Sequence, residues 1–306
     1  ESDNSLNPDI ADDQIVFACY YDKIAKNLIS FCLRKIKMWN PFTGKIKKVY
    51  EDPMKNEITA YTIDKNYKRS FLGDNTGKIK CFNMKNGNYL KDLEPHDVEI
   101  NILVHSLELN IVISCSIDDV IKIHDDTELT DSNVLKTLLP QEKQVKALAI
   151  LIIPERDKGN ALYKRLAIGL NDGTIKFYDI EHFRNDSPHN DIKPSYDMEI
   201  TCLFPVKSHF LIFSGHKNGQ CRLMVTPPHS EKYTIICEFT NEFKNESEEN
   251  EYNLITPITC MDVDYKGCRL FIGDSLGRIV SYDISILFNL LDETNGVNAE
   301  CKSILI

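Results

Sequence analysis

A glycine-bounded pentapeptide that recurs four times constrains the fold of this chain most strongly. Each copy follows one apolar run and precedes another, and 8 of the 13 glycines of the chain lie in these copies. The copies are Gly73–Gly77, Gly169–Gly173, Gly215–Gly219 and Gly273–Gly277. A turn that recurs between apolar runs predicts a repeat architecture, in which each repeat is one small unit that packs on its neighbours.

A second recurring segment begins two residues after the second glycine and reads apolar, basic, any residue, aromatic. Its fourth residue marks each repeat, and the six markers are Trp39, Phe82, His124, Tyr178, Met224 and Tyr282. Successive markers lie 43, 42, 54, 46 and 58 residues apart. The first two spacings match one four-stranded propeller blade, and the longer ones leave room for inserted loops.

The marker segments resemble the WD repeat of β-propeller proteins in a degenerate form. The family's Trp-Asp pair is represented by Trp39-Asn40, Phe82-Asn83, His124-Asp125, Tyr178-Asp179, Met224-Val225 and Tyr282-Asp283, and its upstream Gly-His at best by Pro95-His96. Because no copy is intact, we expect the Ser/Thr-His-Asp-Trp hydrogen-bond network of strong WD repeats not to form. The resemblance covers residues 15–306 and implies a fold, and a fold alone does not specify a function.

We therefore predict an all-β fold, a β-propeller of four-stranded blades with six recognisable blades and six to seven at closure. Residues 1–14 are predicted as a linker or tail and residues 15–306 as the propeller, within a longer chain. The blades are predicted at 15–50, 57–93, 99–139, 145–198, 199–240 and 255–306. In the third blade the glycine turn is replaced by Ser116–Asp119, because Asp tolerates the turn conformations that Gly otherwise supplies.

Three polar stretches are predicted as inserted loops that contact partners, at residues 155–164, 181–194 and 241–253. The second of them is expected to precede the closing strand of the fourth blade or to replace it. In the sixth blade, Ile286–Leu291 is predicted as a short helical insertion and Cys301–Ile306 as the outer strand.

Charge is distributed unevenly along the chain, which has a net charge of −10. Residues 22–91 hold 16 of the 36 Lys and Arg but only 6 of the 46 Asp and Glu. Within this stretch, Lys45, Lys47 and Lys48 lie on a predicted outer strand, and Lys78 and Lys80 on a middle strand. We interpret these five lysines as a docking surface for an acidic partner such as tubulin. The alternative is a set of solvated edges, where lysine also discourages aggregation.

No motif in the sequence predicts a catalytic, cofactor-binding or metal site. The chain has no Walker loop, His-Glu-x-x-His, EF-hand loop or Gly-x-Ser-x-Gly elbow, so no catalytic residue, cofactor or metal site is predicted. Thr59, Thr201 and Thr259 on the inner strands are interpreted as strand threonines or, alternatively, as a ring at the channel mouth. The acidic chain lacks the footprint of nucleic-acid binding, and no run of 18 apolar residues predicts membrane insertion. Ten cysteines without a Cys-x-x-Cys pair favour a reducing compartment.

Two stretches, residues 39–45 and 73–87, are similar to segments of large ciliary WD-repeat proteins. This resemblance implies a non-catalytic protein-interaction scaffold of the ciliary axoneme or a microtubule-associated assembly. Tubulin or other axonemal proteins would be its partners, and the cytoplasmic cytoskeleton, within the cilium, its location. Two alternatives remain: a soluble WD-repeat adaptor in trafficking or ubiquitin ligation, and a propeller enzyme or small-molecule binder that uses the central channel.

Overall fold

The computed structural model describes residues 15–64, 66, 68–128, 132–139, 143–154, 162–180, 190–192, 198–206, 211–225, 234–243, 254–264, 266 and 268–286. The predicted linker at 1–14, most of the helical insertion and the outer strand at 301–306 lie outside these residues. The chain divides into two compact units, Glu1–Pro140 and Gln141–Ile306.

The first unit holds three antiparallel sheets of four strands, each strand paired with the next in sequence. We call each such sheet a blade. Blade 1 contains β1 (Val16–Asp22), β2 (Asn27–Cys32), β3 (Lys35–Trp39) and β4 (Ile46–Glu51). Blade 2 contains β5 (Ile58–Ile63), β6 (Arg69–Asp74), β7 (Ile79–Asn83) and β8 (Tyr89–Leu93). Blade 3 contains β9 (Ile100–Ser106), β10 (Ile111–Ser116), β11 (Ile121–Asp125) and β12 (Val134–Leu138).

The second unit holds three further blades and a short ribbon. Blade 4 contains β13 (Val145–Pro154), β14 (Leu162–Leu170), β15 (Ile175–Asp179) and β16 (Asn190–Ile192). Blade 5 contains β17 (Ile200–Val206), β18 (Leu211–His216), β19 (Gln220–Val225) and β20 (Thr234–Thr240). The ribbon pairs β21 (Glu242–Phe243) with β22 (Leu254–Ile255). The described part of blade 6 has three strands, β23 (Ile258–Asp264), β24 (Arg269–Asp274) and β25 (Ile279–Asp283).

These sheets confirm the predicted all-β propeller with six blades, and they correct the bounds of all three predicted loops. Residues 162–164, predicted as the end of the loop 155–164, belong to β14 and pair with the end of β13. The closing strand of blade 4, β16, lies inside the stretch 181–194 rather than after it. The stretch 241–253 begins with β21, whose partner β22 follows directly. Regular alternation is weak in both places, so pairing with a neighbouring strand, and not local pattern, sets the structure there. No helix among the described residues is long and apolar enough to cross a membrane.

The two glycines of each pentapeptide serve different purposes. The second one adopts a left-handed conformation, with φ between 77° and 85° at Gly77, Gly173, Gly219 and Gly277. In blade 3 Asp119 takes this conformation with φ of 66°, which confirms that Asp replaces the glycine of the turn. The first glycine lies at the end of a strand and has ordinary φ, so its small size must have another cause.

That cause is a close contact between neighbouring blades. A Cβ added at Gly73 would lie 2.8 Å from Cβ of Ile100, the first residue of the next blade. In the second unit, the same addition at Gly169 would lie 2.8 Å from Cγ2 of Ile200, and at Gly215 2.7 Å from Cγ2 of Ile258. We call this the glycine–isoleucine contact. It lets the second strand of one blade approach the first strand of the next, which closes the apolar core between them.

Candidate functional site: a lysine-rich end of the first two blades

Two kinds of turn alternate along each blade, and they lie at opposite ends of the sheet. In an antiparallel meander, the first and third hairpin turns share one end, and the second turn lies at the other. Lys45 belongs to the third turn of blade 1, and Lys47 is the second residue of the strand that follows it. Lys78 belongs to the second turn of blade 2. The five lysines predicted as one docking surface are therefore divided between two ends.

Contacts between the two blades show that their corresponding ends lie together. The Tyr50 hydroxyl donates to the Met84 carbonyl at 2.8 Å, and Lys48 Nζ donates to the Lys85 carbonyl at 3.2 Å. The Tyr50 ring packs so closely on Gly87 that a Cβ there would lie 2.2 Å from the ring. All three contacts join the last strand of blade 1 to the third turn of blade 2.

This shared end of blades 1 and 2 is rich in exposed lysines, and we call it the basic end. It comprises the exposed lysines Lys23, Lys26, Lys45, Lys47, Lys68 and Lys85, with the half-buried Lys48 beside them. Of these seven lysines, Lys45, Lys47 and Lys48 were predicted from the sequence. The others could have been found by grouping lysines according to the turn that carries them, because odd-numbered turns share one end.

The exposed charges of the basic end are positive. The described residues of its four turns include two carboxylates, Asp22 and Asp64, and both are buried. Asp22 Oδ1 accepts hydrogen bonds from the backbone N–H groups of Ile24 and Ala25, at 2.9 and 3.0 Å. These carboxylates thus shape turns instead of neutralising the surface. Within the described residues, none of the five predicted lysines forms an ion pair.

The opposite end of blade 1 has a more balanced charge. Arg34 Nη1 lies 3.7 Å from Asp52 Oδ1, and Lys35 Nζ lies 3.8 Å from Glu51 Oε1. Lys78 is exposed at this end of blade 2, and Lys80 is half-buried on β7, with Nζ 5.7 Å from the centre of the Tyr89 ring. Lys78 and Lys80 are therefore separated from the basic end.

A buried ion cluster joins blades 2 and 3, and the sequence analysis did not find it. Arg69 donates to both carboxylate oxygens of Asp126 at 2.9 and 2.8 Å, Lys91 Nζ lies 2.9 Å from Oδ1, and His105 Nε2 lies 3.0 Å from Oδ2. Burial raises the pKa of Asp126, but hydrogen bonds from His105, Lys91 and Arg69 outweigh it and bring the pKa to about 2. Arg69, Lys91 and His105 each contact the Asp126 carboxylate, so the cluster stabilises the packing of the two blades.

A second buried network shows that one prediction was wrong. In blade 3, His96 Nε2 and His124 Nε2 both contact Ser114 Oγ, at 2.7 and 2.8 Å, and His96 Nδ1 contacts Ser116 Oγ at 2.8 Å. A serine–histidine network of the kind expected to be absent therefore forms, with His124 in the marker position. Trp39 Nε1 likewise donates to Ser30 Oγ at 2.8 Å in blade 1. Short polar side chains on the adjacent strand supply partners even where the family dipeptide is degenerate.

The inner-strand threonines contact protein atoms. Thr59 Oγ1 donates to the Ile100 carbonyl of the next blade at 2.6 Å, and Thr259 Oγ1 donates to the Gly273 carbonyl at 3.2 Å. Thr201 Oγ1 lies 4.0 Å from Cys202 Sγ. These contacts support their interpretation as strand threonines. Among the described residues, no group of three or more His, Cys, Asp or Glu side chains is placed to hold a metal ion.

Sequence comparison identifies one informative relative, and no protein-family model matches the chain. The chain is 27% identical over 242 residues to cilia- and flagella-associated protein 337 B of Tetrahymena thermophila. The matched region is 79% of this chain but only 18% of that protein, so the chain spans less than a fifth of the length of the curated relative.

Comparison with solved structures shows the fold alone. A structure of U3-55K matches with a TM-score of 0.52 and 14% identity, over 86% of this chain and 89% of that one. The crystal structure of the computationally designed Ika8 protein matches with a TM-score of 0.57 and 19% identity, over 89% of this chain and 84% of that one.

Proposed function

We propose that this protein is a non-catalytic interaction scaffold of the ciliary axoneme or of a microtubule-associated assembly. The observation that carries the proposal is the 27% identity, over most of this chain, to a protein named as cilia- and flagella-associated. A β-propeller of short braced blades suits this role, since a rigid scaffold presents turns and loops as fixed contact surfaces. The similarity of residues 39–45 and 73–87 to segments of large ciliary WD-repeat proteins supports the same role.

We further propose that the basic end is the surface through which the scaffold contacts an acidic axonemal partner, with tubulin as the first candidate. Six of its seven lysines are exposed, and the two described carboxylates of the same turns, Asp22 and Asp64, are buried. Attraction of this kind steers association, and it weakens as salt screens the charges beyond about 10 Å at 0.1 M ionic strength. Lys45, Lys47 and Lys48 thus belong to the proposed surface, whereas Lys78 and Lys80 lie outside it.

Cell fractionation tests the proposed location. Cells that carry the tagged protein are extracted with detergent, and the cytoskeletal pellet is then washed with increasing salt. We expect the protein to remain in the axonemal pellet and to leave it only at high salt. Complete release into the detergent supernatant would contradict the axonemal role and favour the soluble adaptor in trafficking or ubiquitin ligation.

A further inference from the structure

Two large apolar side chains lie in the turns of blade 1 at the basic end. Ile24 belongs to the first turn and Phe42 to the third, and they are 74% and 78% exposed. Both residues lie beyond the ends of the strands, whereas sheets that pack on one another contact each other through their faces. Their exposure therefore follows from their place in the turns. We call this pair the apolar tips.

The two turns lie side by side. The first turn joins β1 to β2 and the third joins β3 to β4, and Leu28 of β2 pairs with Trp39 of β3. Lys47 Nζ, after the third turn, donates to Asn27 Oδ1, after the first turn, at 2.5 Å. Neighbouring strands are about 4.8 Å apart, so turns whose centres are two strands apart lie roughly 10 Å from each other. One partner surface can therefore contact both apolar tips at once.

Hydrogen bonds within each turn fix the positions of the apolar tips. Asn40 Oδ1 accepts from the backbone N–H of Phe42 at 2.9 Å, and the Asn40 carbonyl accepts from the N–H of Gly44 at 2.9 Å. In the first turn, Asp22 Oδ1 accepts from the N–H of Ile24 at 2.9 Å. A surface held in this way loses little conformational entropy on binding, which favours affinity.

The repeat itself does not require an apolar residue at either position. Blades 2, 3 and 6 have first turns of the same length as that of blade 1. The residues that correspond to Ile24 in these blades are Asn66, Glu108 and Lys266. The residues that correspond to Phe42, two positions after an Asn or Asp that accepts their backbone N–H, are Lys85, Thr127 and Ser285. Polar residues therefore suffice for the folding of both turns.

The surroundings of the apolar tips indicate their use. Single apolar side chains scattered over a surface need no explanation, but these two are neighbours and lie among exposed lysines. Lys23 and Lys26 flank Ile24 in the first turn, and Lys45 follows the turn that holds Phe42. In protein interfaces, a few desolvated apolar or aromatic side chains provide most of the binding energy, and surrounding charges steer the encounter.

We propose that Ile24 and Phe42 anchor the acidic partner of the basic end by entering apolar pockets that carboxylates surround. This inference rests on the proposed function, because it takes the partner to be an acidic protein. The apolar tips are convex, so the matching surface is concave, and the exposed lysines match Asp or Glu at its rim. A folded protein provides such pockets, whereas an extended acidic peptide provides charge alone. The lysines thus promote association, and the apolar tips slow dissociation.

Rebinding to salt-stripped axonemes at low salt tests this anchoring. The wild-type chain is compared with I24S/F42S and with I117S, which removes an exposed apolar side chain from the second turn of blade 3. We expect I24S/F42S to bind at least about tenfold more weakly, because it removes two side chains that become buried on binding. I117S should bind like the wild-type chain. Thermal unfolding of I24S/F42S should match that of the wild-type chain, since polar residues occupy both positions in other blades.

The outcomes separate this inference from the proposed function. Added salt should weaken rebinding of the wild-type chain and of I24S/F42S by the same factor, because both retain the lysines. Equal rebinding of the two chains at low salt would overturn the anchoring and leave the proposed function intact. Failure of the wild-type chain itself to rebind would overturn both.

Flotation with vesicles of equal parts phosphatidylcholine and phosphatidylserine tests the other surface that such tips can enter, an anionic membrane. Two side chains bury much less apolar surface than a single acyl chain, which by itself gives only marginal membrane binding, so a protein pocket is the better match. We expect the wild-type chain not to float with these vesicles. Flotation of the wild-type chain that I24S/F42S loses would overturn the proposal, because the occupant would then be a lipid surface.

Discussion

Blades 2 and 6 have phenylalanine, glycine and isoleucine at matching positions, yet these side chains differ in their exposure. Phe71 and Phe271 each stand two residues before the first glycine of a pentapeptide, and Ile79 and Ile279 each stand two residues after the second. Phe71 and Ile79 are 0% and 1% exposed, whereas Phe271 and Ile279 are 37% and 75% exposed. The repeat thus specifies which side chains can form an interface, and a neighbouring sheet decides whether they are buried.

The largest difference in stability cost between the two blades is expected for substitution of their phenylalanines. F71A removes a ring from a closed core and should lower the free energy of unfolding by about 3–5 kcal/mol. F271A removes a ring that already contacts solvent, so it should cost roughly 1 kcal/mol or less. Urea unfolding of the 306-residue chain measures both. Equal costs would show that the ring of Phe271 is as completely covered as that of Phe71.

Removing the arginine of blade 2 should likewise lower stability more than removing the arginine of blade 6. R69A leaves the buried Asp126 with Lys91 and His105 alone and should cost about 3 kcal/mol, because a buried charge loses its main partner. R269A removes an exposed side chain and should change stability by less than about 0.5 kcal/mol. Thermal unfolding provides the measurement. A cost for R269A close to that for R69A would contradict the assigned difference in surroundings.

The buried histidines of blade 3 should make the free energy of unfolding depend on pH. The marker of blade 6, Tyr282, should contribute no such dependence in this pH range. Burial, with a smaller effect of Lys122, lowers the pKa of His96 to about 4, and burial, with a smaller effect of His96, lowers that of His124 to about 3. The unfolded chain binds these protons below pH 6.5, so stability falls as the pH drops from 6.5 towards 4. We expect a loss of roughly 2 kcal/mol per histidine at pH 5.

Unfolding by urea between pH 7.5 and 4.5 measures this loss. His216 in blade 5 also has its pKa lowered by burial, to about 4, and contributes in the same direction. The double variant H96Q/H124Q should therefore flatten the pH dependence without removing it. A slope unchanged by this variant would contradict the role given to the pair.

The smallest difference is expected where the two blades are alike. Asp74 Oδ1 accepts the backbone N–H groups of Thr76 and Lys78, and Asp274 Oδ1 accepts those of Leu276 and Arg278, at 2.9–3.0 Å. These bonds lie within one turn and need no neighbouring sheet. D74A and D274A should each cost about 1–2 kcal/mol, with D274A at the upper end because Asp274 Oδ2 also accepts a hydrogen bond from Arg278 Nε at 2.7 Å. Thermal unfolding that gave clearly unequal costs would show that the turns depend on their surroundings.

The sequence predicted those features that one repeat determines by itself. The six blades, the left-handed residue of each turn and its replacement by Asp119 follow from local pattern and turn chemistry. The brace of Arg69 and Asp126 does not, because its members are 57 residues apart and meet only when two blades pack. The serine–histidine network was missed for a related reason: Ser114 and His124 belong to different strands, and the family dipeptide gives no sign of their pairing.

Sheet topology divides the five lysines that the sequence grouped into one surface. Proximity in sequence grouped Lys78 with Lys45, although their turns lie at opposite ends of the blades. Sheet topology, and not spacing along the chain, decides which charges act together. The sequence around each lysine does not show which other lysines lie near it, because each is locally an ordinary solvated residue.

Rebinding to axonemes tests the central claim most directly. Axonemes stripped with high salt are mixed at low salt with the wild-type chain, with the basic-end variant K45E/K47E/K85E, or with K78E as the control from the opposite end. We predict that the wild-type chain and K78E rebind and that the basic-end variant stays in the supernatant. Equal rebinding of all three chains, or rebinding of none, would contradict the account of a ciliary scaffold docked through its basic end.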